Sequence, residues 1–308
     1  MRVGFCGNDA WSVPSLEQLA ASKHEVVIVV TAAPKPAGGR VPPTPTPVAE
    51  VARALGLPLA EVDTVKTGAG FKHLAAAMPD VLAVVAYGEL LPPNVLHLPT
   101  IAPVNLHFSL LPQLRGASPV QTALLLGMNK TGVTTIVMDR GLDTGPVIRQ
   151  REEPIGPADD AGTLGARLAA IGAGVLVETV DMLAAGPVAP TPQDHSAATF
   201  APKFGPEDRI LDWSNPAIVL VNLCRALSPE PAATTSFRGD AMSVFRAEAV
   251  EAVAGEPGRI VHVTKEGIVV ATAEGGFRPL ELAPAGRKRM TGADLVNGFR
   301  PEVGERLG

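Results

Sequence analysis

An amide and an imidazole lie two residues apart near the middle of the chain. Asn105 and His107 end a short apolar run and precede the loop segment Ser109-Leu110-Leu111-Pro112. Side chains alternate between the two faces of a strand, so we predict that both point to one side where the strand becomes a loop. Carbonyl-transfer chemistry needs such a pair, one group to hold charge on oxygen and one to move a proton. The alternative is that His107 is a core histidine with satisfied ring nitrogens.

A second loop offers a carboxylate. Asp143 lies in Gly141-Leu142-Asp143-Thr144-Gly145, which follows another apolar run. Its carboxylate can orient and charge an imidazole, although an aspartate between glycines is often only a turn former. In an open α/β sheet, ligands bind outside the carboxyl ends of the strands, so the two loops meet there if their strands are parallel. We therefore predict that Asn105, His107 and Asp143 form one catalytic trio.

The pattern of apolar runs predicts the elements that position these residues. Over residues 2–189, short apolar runs alternate with segments of helical period, which predicts an α/β fold with a Rossmann-like, mostly parallel sheet. The first turn, Gly4-Phe5-Cys6-Gly7, lacks the G-x-G-x-x-G spacing of a dinucleotide site, so NAD is not expected. The predicted strands are 3–6, 26–30, 81–86, 102–106, 134–138 and 147–151.

The sequence predicts the start and the end of two helices. Ser12 precedes an apolar-periodic segment with Pro14 in its first turn, which predicts a helix over 13–21 opened by Ser12. A longer helix is predicted over 163–185, where Leu164, Leu168 and Val175 share one face. That stripe is typical of a core helix. No membrane span is expected, because the longest unbroken apolar runs are far shorter than about 20 residues.

The composition changes after residue 190, where prolines and small polar residues predict a linker over 190–205. We therefore predict a catalytic domain over 1–189 and a carboxyl-terminal domain over 206–308. A short helix is predicted around 217–226. Short β-type runs at 243–245, 259–263, 267–272 and 278–282, separated by glycine turns, predict a small OB-like β-barrel.

Length and composition narrow the class of protein. The 308 residues are 46% hydrophobic and 19% charged, which is ordinary for a globular protein of two domains. The formal net charge of −5 argues against general adhesion to nucleic acid, so any RNA contact must be local. The two cysteines, Cys6 and Cys224, lack metal-ligand spacing and are expected to be buried thiols in a reducing cytoplasm. No metal is expected.

Several segments share their residue patterns with one known family. The central ones are Asn105-x-His107 with Ser109-Leu110-Leu111-Pro112, then Arg115-Gly116-x-x-Pro119, then the Asp143 loop. Two further segments contribute to the match. They are Ala86-Tyr87-Gly88, before the central ones, and Pro284-Ala285-Gly286-Arg287-Lys288-Arg289-Met290, near the end. Together they resemble the methionyl-tRNA formyltransferase family of folate-dependent formyltransferases. The similarity covers essentially the whole chain, and its carboxyl-terminal part separates this family from relatives that act on other amines.

The resemblance implies an activity and a set of roles. The donor would be 10-formyltetrahydrofolate, and the acceptor would be the α-amino group of methionine on initiator tRNA, for translation initiation. Asn105 would hydrogen-bond the formyl oxygen, His107 would move protons, and Asp143 would fix the tautomer of His107 and support its positive form. The folate would lie against six residues, Tyr87, Gly88, Ser109, Leu110, Leu111 and Pro112. No metal takes part, and we expect a cytoplasmic monomer without a membrane partner.

Two groups of basic residues are candidates for phosphate contacts on the tRNA. Lys35 and Arg40 lie in a proline-rich stretch, 31–48, that neither helix nor sheet can accommodate. Arg287, Lys288 and Arg289 form a tight cluster in the second domain. The alternative for this cluster is a solvated loop.

Two other functions fit the same residues. The first is a folate-dependent enzyme that formylates an amino sugar nucleotide, because the catalytic trio would be the same. The second is a non-catalytic relative that binds a pterin or RNA. The second domain argues against the first alternative, and the presence of all three trio residues argues against the second.

Overall fold

The structure, a computed structural model, describes residues 1–34 and 43–308. Lys35 and Arg40 therefore lie outside the described residues, as do the other residues of 35–42 in the proline-rich stretch. The chain separates into two compact units. The first comprises Met1–Pro119, Lys130–Pro154 and Gly165–Pro202, and the second comprises Val120–Asn129, Ile155–Leu164 and Lys203–Gly308.

The first unit is built on a mostly parallel sheet, as predicted. Within the described residues the sheet has seven strands: β1 Arg2–Gly7, β2 Glu25–Ala32, β3 Leu59–Val62, β4 Val81–Val85, β5 Ala102–His107, β6 Lys130–Val137 and β7 Val147–Pro154. Their order is β3-β2-β1-β4-β5-β6-β7, and β1 to β5 are parallel. Every residue of β4 is buried. A central parallel strand is covered on both faces, which explains its unbroken run of apolar residues.

The last two strands of this mostly parallel sheet run antiparallel to their neighbours. β6 runs antiparallel to β5, with Val104 opposite Val137 and His107 opposite Thr134, and β7 runs antiparallel to β6. The expectation that the loops of Asn105 and Asp143 meet because their strands are parallel is therefore wrong. Asp143 lies in the connection between β6 and β7, which folds over β5 to reach Asn105 and His107.

Short helices connect the parallel strands: α1 Val13–Ala21, α2 Pro47–Ala54, α3 Gly68–Ala77 and α4 Pro93–Leu96. The bounds of α1 agree with the prediction, but its start does not. Ser12 makes no capping bond, and a 3-10 turn over Ala10–Ser12 precedes the helix, with Asp9 accepting from the Trp11 N–H. The buried Ser12 hydroxyl instead donates to the Val85 carbonyl, 2.7 Å away. This serine therefore ties α1 to the central strand.

Two further helices, α5 Pro119–Leu125 and α6 Ala161–Ala185, follow β5 and β7 in the chain. By length and composition α6 could cross a membrane, and half of its most apolar stretch is buried inside the protein. Leu164, Leu168 and Val175 of the predicted stripe are fully buried. The core helix of a globular protein has these same properties.

Most of α5 belongs to the second unit, whose main part, Lys203–Gly308, is an antiparallel sheet with two helices. Its described elements are α7 Ala217–Leu227, β8 Ala233–Phe237, β9 Asp240–Val250, β10 Ile260–Thr264, β11 Gly267–Ala271, β12 Gly276–Pro284, β13 Met290–Thr291 and α8 Gly292–Phe299. The strand order is β10-β11-β12-β9-β8, with β13 on β12. Helix α8 is not predicted from the sequence, although Thr291 and Asp294 form a capping box at its start.

The carboxyl-terminal segment joins the two edges of this sheet. Leu307 bridges to Phe237 at the end of β8, and Arg306 bridges to Arg259 just before β10. The sheet is thereby closed into the predicted barrel, which removes its exposed edges. The core inside it includes Trp213 and Phe277, whose rings pack edge to face with centroids 5.4 Å apart.

Candidate active site

The structure brings Asn105, His107 and Asp143 together. Asn105 Nδ2 donates to Asp143 Oδ1 across 3.2 Å. His107 Nδ1 lies 3.6 Å from Asp143 Oδ2, and the two side chains are 6% and 11% exposed. That separation is too long for a hydrogen bond but places the carboxylate next to the ring nitrogen. The three side chains thus share one small, mostly desolvated space.

A backbone carbonyl constrains the tautomer of His107. Its Nε2 lies 2.9 Å from the Leu114 carbonyl oxygen. Because a carbonyl oxygen accepts and cannot donate, Nε2 carries the hydrogen, and the lone pair of the neutral ring is on Nδ1. The role of Asp143 in fixing the tautomer stays a prediction, and the contact with Leu114 is a second constraint on the ring. Asp143 faces Nδ1, where a proton taken up by the ring would be next to its negative charge.

The carboxylate of Asp143 also orients the other two components of the site. Its Oδ2 accepts from the Gly116 N–H at 2.9 Å, and its Oδ1 holds one N–H of the Asn105 amide. Asn105 is half-buried. Among the described residues the Asn105 Nδ2 has no other hydrogen-bond partner, so its second N–H remains to donate to a substrate oxygen. This arrangement supplies an oriented donor beside a proton acceptor.

Local backbone chemistry explains why the Asp143 loop takes this path. Asp143 has φ 54°, a left-handed conformation that Asp adopts more readily than most residues. Gly145 lies so close to β6 that a Cβ would be 1.8 Å from the Val137 carbonyl oxygen. A glycine is therefore required there. Asp139 holds the other end of the loop by accepting from the Gly141 N–H and the Thr144 hydroxyl, at 2.9 Å and 2.6 Å.

Two buried residues that sequence analysis did not assign to the trio also hold this loop. Gln193 Nε2 donates to the carbonyl oxygens of Asp143 and Gly145, at 2.8 Å and 2.7 Å. Gln193 Oε1 accepts from Arg115 Nη2 at 2.6 Å and from its Nε at 3.2 Å. Arg115 belongs to the segment Arg115-Gly116-x-x-Pro119, one of those on which the family resemblance depends. No pattern marks Gln193, which falls in the stretch interpreted as a linker.

The candidate folate residues occupy the carboxyl ends of two neighbouring parallel strands. Tyr87 and Gly88 follow β4, and the segment that begins at Ser109 follows β5, the next strand in the sheet. Ends of parallel strands meet at one edge, which is where such sheets bind ligands. Tyr87 is 5% exposed, and burial raises the pKa of its phenol, so it remains neutral. The Tyr87 side chain packs in a core cluster with Cys6 and Leu91, so the structure does not present its ring on the surface of this edge.

The segment Ser109-Leu110-Leu111-Pro112 is held by the protein's own polar groups. Thr134, opposite His107 on β6, donates through its hydroxyl to the Ser109 carbonyl at 2.6 Å and accepts from the Leu111 N–H at 3.2 Å. The Ser109 hydroxyl donates to the Gln113 carbonyl at 2.6 Å. The segment is thus preorganised, with Leu111 buried and Leu110 and Pro112 half-buried.

The basic cluster of the second unit divides into two kinds of residue. The guanidinium of Arg289 lies 3.6 Å from the centroid of the Phe245 ring, donates to the Pro229 carbonyl at 3.0 Å and lies 3.5 Å from Glu281. Arg287 and Lys288 are exposed, and their side chains have no ion pair or hydrogen bond among the described residues. Only these two are available for phosphates without breaking contacts within the unit.

Metal-ligating residues do not cluster in the described parts of the chain, where no group of three or more His, Cys, Asp or Glu residues is placed to hold an ion. Cys6 and Cys224 are both buried free thiols, and burial raises the pKa of each. Their chemistry is that of small apolar residues, which agrees with the sequence analysis.

Comparison with known proteins identifies both parts of the chain. The family model for formyl transferase matches residues 1–180, and the model for the formyl transferase carboxyl-terminal domain matches residues 203–300. The chain is 42% identical to a methionyl-tRNA formyltransferase of Roseiflexus castenholzii, and 39% identical to one of Solibacter usitatus. In both comparisons all of this chain and 99% of the relative are covered.

Similar folds also occur among proteins with other acceptors. The crystal structure of WlaRD, a sugar 3N-formyl transferase in the presence of dTDP and 5-N-formyl-THF, matches with a TM-score of 0.66 at 14% identity. The match covers 94% of this chain and 99% of that one. At this identity the match shows a shared fold, and the fold alone does not distinguish a tRNA acceptor from a sugar acceptor.

Proposed function

The chain belongs to the methionyl-tRNA formyltransferase family, and we propose that Asn105, His107 and Asp143 carry out its formyl transfer. The enzyme is a folate-dependent formyltransferase that acts on methionyl-tRNA for translation initiation. We take 10-formyltetrahydrofolate as the donor. The observation that supports the trio is the pair of contacts that Asp143 makes, one with the Asn105 amide and one with the ring of His107.

Asn105 stabilises the oxyanion. The α-amino group of methionine, whose reference pKa is roughly 8, is partly unprotonated at neutral pH and attacks the formyl carbon. A carbon–nitrogen bond forms while the carbonyl electron pair moves to oxygen. The free N–H of Asn105 donates to that oxygen, and the loss of such a donor costs roughly 100- to 1000-fold in comparable sites.

His107 moves the proton. As the amine attacks, its surplus proton passes to Nδ1, the nitrogen that carries the lone pair. The resulting imidazolium has hydrogens on both nitrogens, with Leu114 and Asp143 as their neighbours. When the intermediate collapses, Nδ1 delivers the proton to the departing folate nitrogen, whose bond to the formyl carbon breaks. The ring returns to its neutral state, and protons balance over the cycle without a metal.

The remaining residues supply binding. Tyr87, Gly88 and the segment Ser109-Leu110-Leu111-Pro112 offer an apolar, preorganised edge for the pterin ring. Arg287 and Lys288 are the exposed cations for tRNA phosphates, joined by Lys35 and Arg40, which lie outside the described residues. In this proposal residues 1–189 perform the chemistry and residues 206–308 hold the tRNA. The enzyme works as a cytoplasmic monomer.

A direct acceptor comparison tests the function. Purified protein is given 10-formyltetrahydrofolate with either initiator methionyl-tRNA or an amino sugar nucleotide, and the formylated product is measured. We expect transfer to the tRNA. Transfer solely to the sugar, or no consumption of the folate with charged tRNA present, would contradict it.

The role of Asp143 is tested by Asp143→Asn. Asparagine tolerates the left-handed backbone at this position, so the variant removes the charge and leaves the loop conformation accessible. We expect kcat to fall by at least about 100-fold, because the imidazolium loses its counter-charge. Ordinary turnover in this variant would remove Asp143 from the mechanism.

A further inference from the structure

We propose that Gln193 is a positioning residue for the reaction, and that it holds the Asp143 carboxylate in place with the buried Arg115 behind it. The proposal rests on the proposed function, because it needs Asp143 to act on Asn105 and His107. Gln193 touches neither of those two side chains. It acts through the backbone of the loop that carries Asp143.

The contacts of Gln193 use its whole amide. Both N–H groups of Nε2 donate, one to the Asp143 carbonyl and one to the Gly145 carbonyl. Gln193 is 8% exposed, so water does not replace these bonds easily if they are lost. The two carbonyls flank Thr144, and a single side chain therefore fixes the direction of the chain on both sides of it.

The loop needs such a clamp because its backbone is not in a favoured conformation. Asp143 has φ 54°, and a residue in this region persists when its surroundings hold it there. The clamp bonds the carbonyl of the same residue whose side chain serves the site. A small rotation about its backbone would carry the carboxylate away from Asn105 and from Gly116.

Arg115 supports Gln193 from the opposite side and explains why the amide cannot flip. Its Nε and Nη2 both donate to Gln193 Oε1, which assigns that atom as oxygen and the other as nitrogen. Arg115 is 4% exposed, and no carboxylate lies within 4.0 Å of its guanidinium in the described parts of the chain. Its remaining side-chain partner there is His195 Nδ1, at 3.0 Å. A buried cation without a counter-ion is costly to bury, and in the described parts of the chain its side-chain hydrogen bonds to Gln193 and His195 offset that cost.

The backbone around Arg115 reaches the same site. The carbonyl of Leu114 accepts from His107, and the N–H of Gly116 donates to Asp143. Arg115 therefore lies between the two backbone groups that orient the imidazole and the carboxylate. Its guanidinium connects that segment to Gln193, and Gln193 connects it to the Asp143 loop. The two loops of the site are locked to each other through these two side chains.

The test is Gln193→Glu, which retains the size and shape of the side chain. The carboxylate still accepts from Arg115, but it cannot donate to the two carbonyl oxygens and repels them. We expect kcat to fall by about 100-fold, the cost of misplacing a reacting group by about 1 Å, with KM for the folate little changed. The loss of two buried hydrogen bonds also lowers the melting temperature. Gln18→Glu, at an exposed position on α1, is the matched control for the added negative charge.

A double-mutant cycle with Asp143→Asn distinguishes positioning from a merely structural role. If Gln193 acts by placing the carboxylate, Gln193→Glu changes kcat by less than about 2-fold once that carboxylate is gone. An equal fall in both backgrounds would overturn the proposal. Should Gln193→Glu fail to fold, Gln193→Met removes both donated bonds without a charge and is taken through the same cycle.

Failure of the Gln193 proposal can be distinguished from failure of the proposed role of Asp143. If Asp143→Asn is impaired and Gln193→Glu is fully active, the positioning proposal is overturned and the catalytic trio is retained. If Asp143→Asn has ordinary activity, the proposed role of Asp143 is overturned, and the role of Gln193 falls with it.

Discussion

At the scale of single residues, the site divides its tasks differently from the familiar triad of a serine hydrolase. There the carboxylate bonds one ring nitrogen and sets the tautomer. Here the Leu114 carbonyl lies against Nε2, and Asp143 faces Nδ1, the nitrogen that takes the proton in the proposed mechanism. The carboxylate also accepts from the Asn105 amide. In the proposed mechanism one carboxylate therefore serves both the proton acceptor and the oxyanion donor.

The substitution His107→Gln isolates the basic nitrogen. A glutamine side chain presents an amide N–H that can reach toward the Leu114 carbonyl, so the buried acceptor is not abandoned. It has no titrating nitrogen, and we expect kcat to fall by roughly 100- to 10,000-fold. Single-turnover formyl transfer measures the step directly. Unchanged single-turnover rates would contradict the role of His107, provided thermal unfolding shows an intact fold.

The sequence predicts that Asn105, His107 and Asp143 lie together, which the structure shows, but it predicts only part of their geometry. Alternation along a strand places Asn105 and His107 on one face, which needs no tertiary information. The tautomer of His107 depends on a carbonyl from a loop seven residues on, and Gln193 reaches the site from beyond α6. A carbonyl is the same in every residue type, and a glutamine has no distinctive spacing. Neither contact can therefore be predicted from the sequence.

At the scale of elements, strand direction was the feature that the sequence did not predict. A buried strand gives the same apolar run in either direction, so the sequence located β6 in the chain and left its direction open. Gly145 lets the Asp143 loop pass close to β6. The sequence shows that a glycine is present, but it does not show that a Cβ there would collide with the Val137 carbonyl.

Two glycines of α6 are expected to respond in opposite ways to replacement by alanine. A Cβ on Gly165 would lie 2.2 Å from the ring of Trp11, whereas a Cβ on Gly174 would meet nothing nearer than Gln18 Oε1 at 3.8 Å. We expect Gly165→Ala to lower the free energy of unfolding by about 1–3 kcal/mol, the usual cost of overpacking. Chemical denaturation with a constant slope measures it.

Gly174→Ala is the matched control in the same helix. Alanine removes the backbone entropy cost of glycine, so we expect the free energy of unfolding to rise by about 0.5–1 kcal/mol. Opposite signs for two identical substitutions nine residues apart would establish that packing against Trp11, and not helix propensity, decides the first one. A loss of stability in both would refute the close approach to Trp11.

At the scale of the whole molecule, the end of the chain holds the barrel of the second unit closed. Arg238 Nε and Nη2 donate to the Glu305 carboxylate at 2.7 Å and 2.9 Å. The hydrogen bond from Arg238, followed by that from the Glu302 N–H, holds the pKa of Glu305 below its ordinary value. A carboxyl group with a lowered folded pKa stabilises the protein above its unfolded pKa.

The resulting pH dependence is testable. The contribution of Glu305 is present above the ordinary value of 4.5 and is lost as the pH falls below it. We expect Glu305→Gln to lower stability at neutral pH and to make its decline in acid shallower. Melting curves across the acid range measure this. Glu251→Gln, at an exposed glutamate without an ion pair among the described residues, is the control, and an equal change in both variants would contradict the assignment.

The charge distribution of the molecule predicts how tRNA binding depends on salt. A chain of net charge −5 that binds tRNA must do so through local cations. Replacing Arg287 and Lys288 together by alanine should weaken tRNA binding and reduce the slope of log Kd against log salt by about 2, one for each lost phosphate contact. Folate affinity should not change, because these residues lie in the second unit and the candidate folate residues lie in the first.

The matched control for this variant replaces Lys203 and Lys265, two exposed lysines of the same unit, and removes the same net charge. Arg289→Ala should behave differently from both. It breaks the contact with the Phe245 ring and the bond to Pro229, so its effect should fall on the thermal stability of the second unit and not on the salt slope. An unaltered slope in the Arg287 and Lys288 variant would make these two residues solvated surface, and tRNA binding would have to depend on other cations.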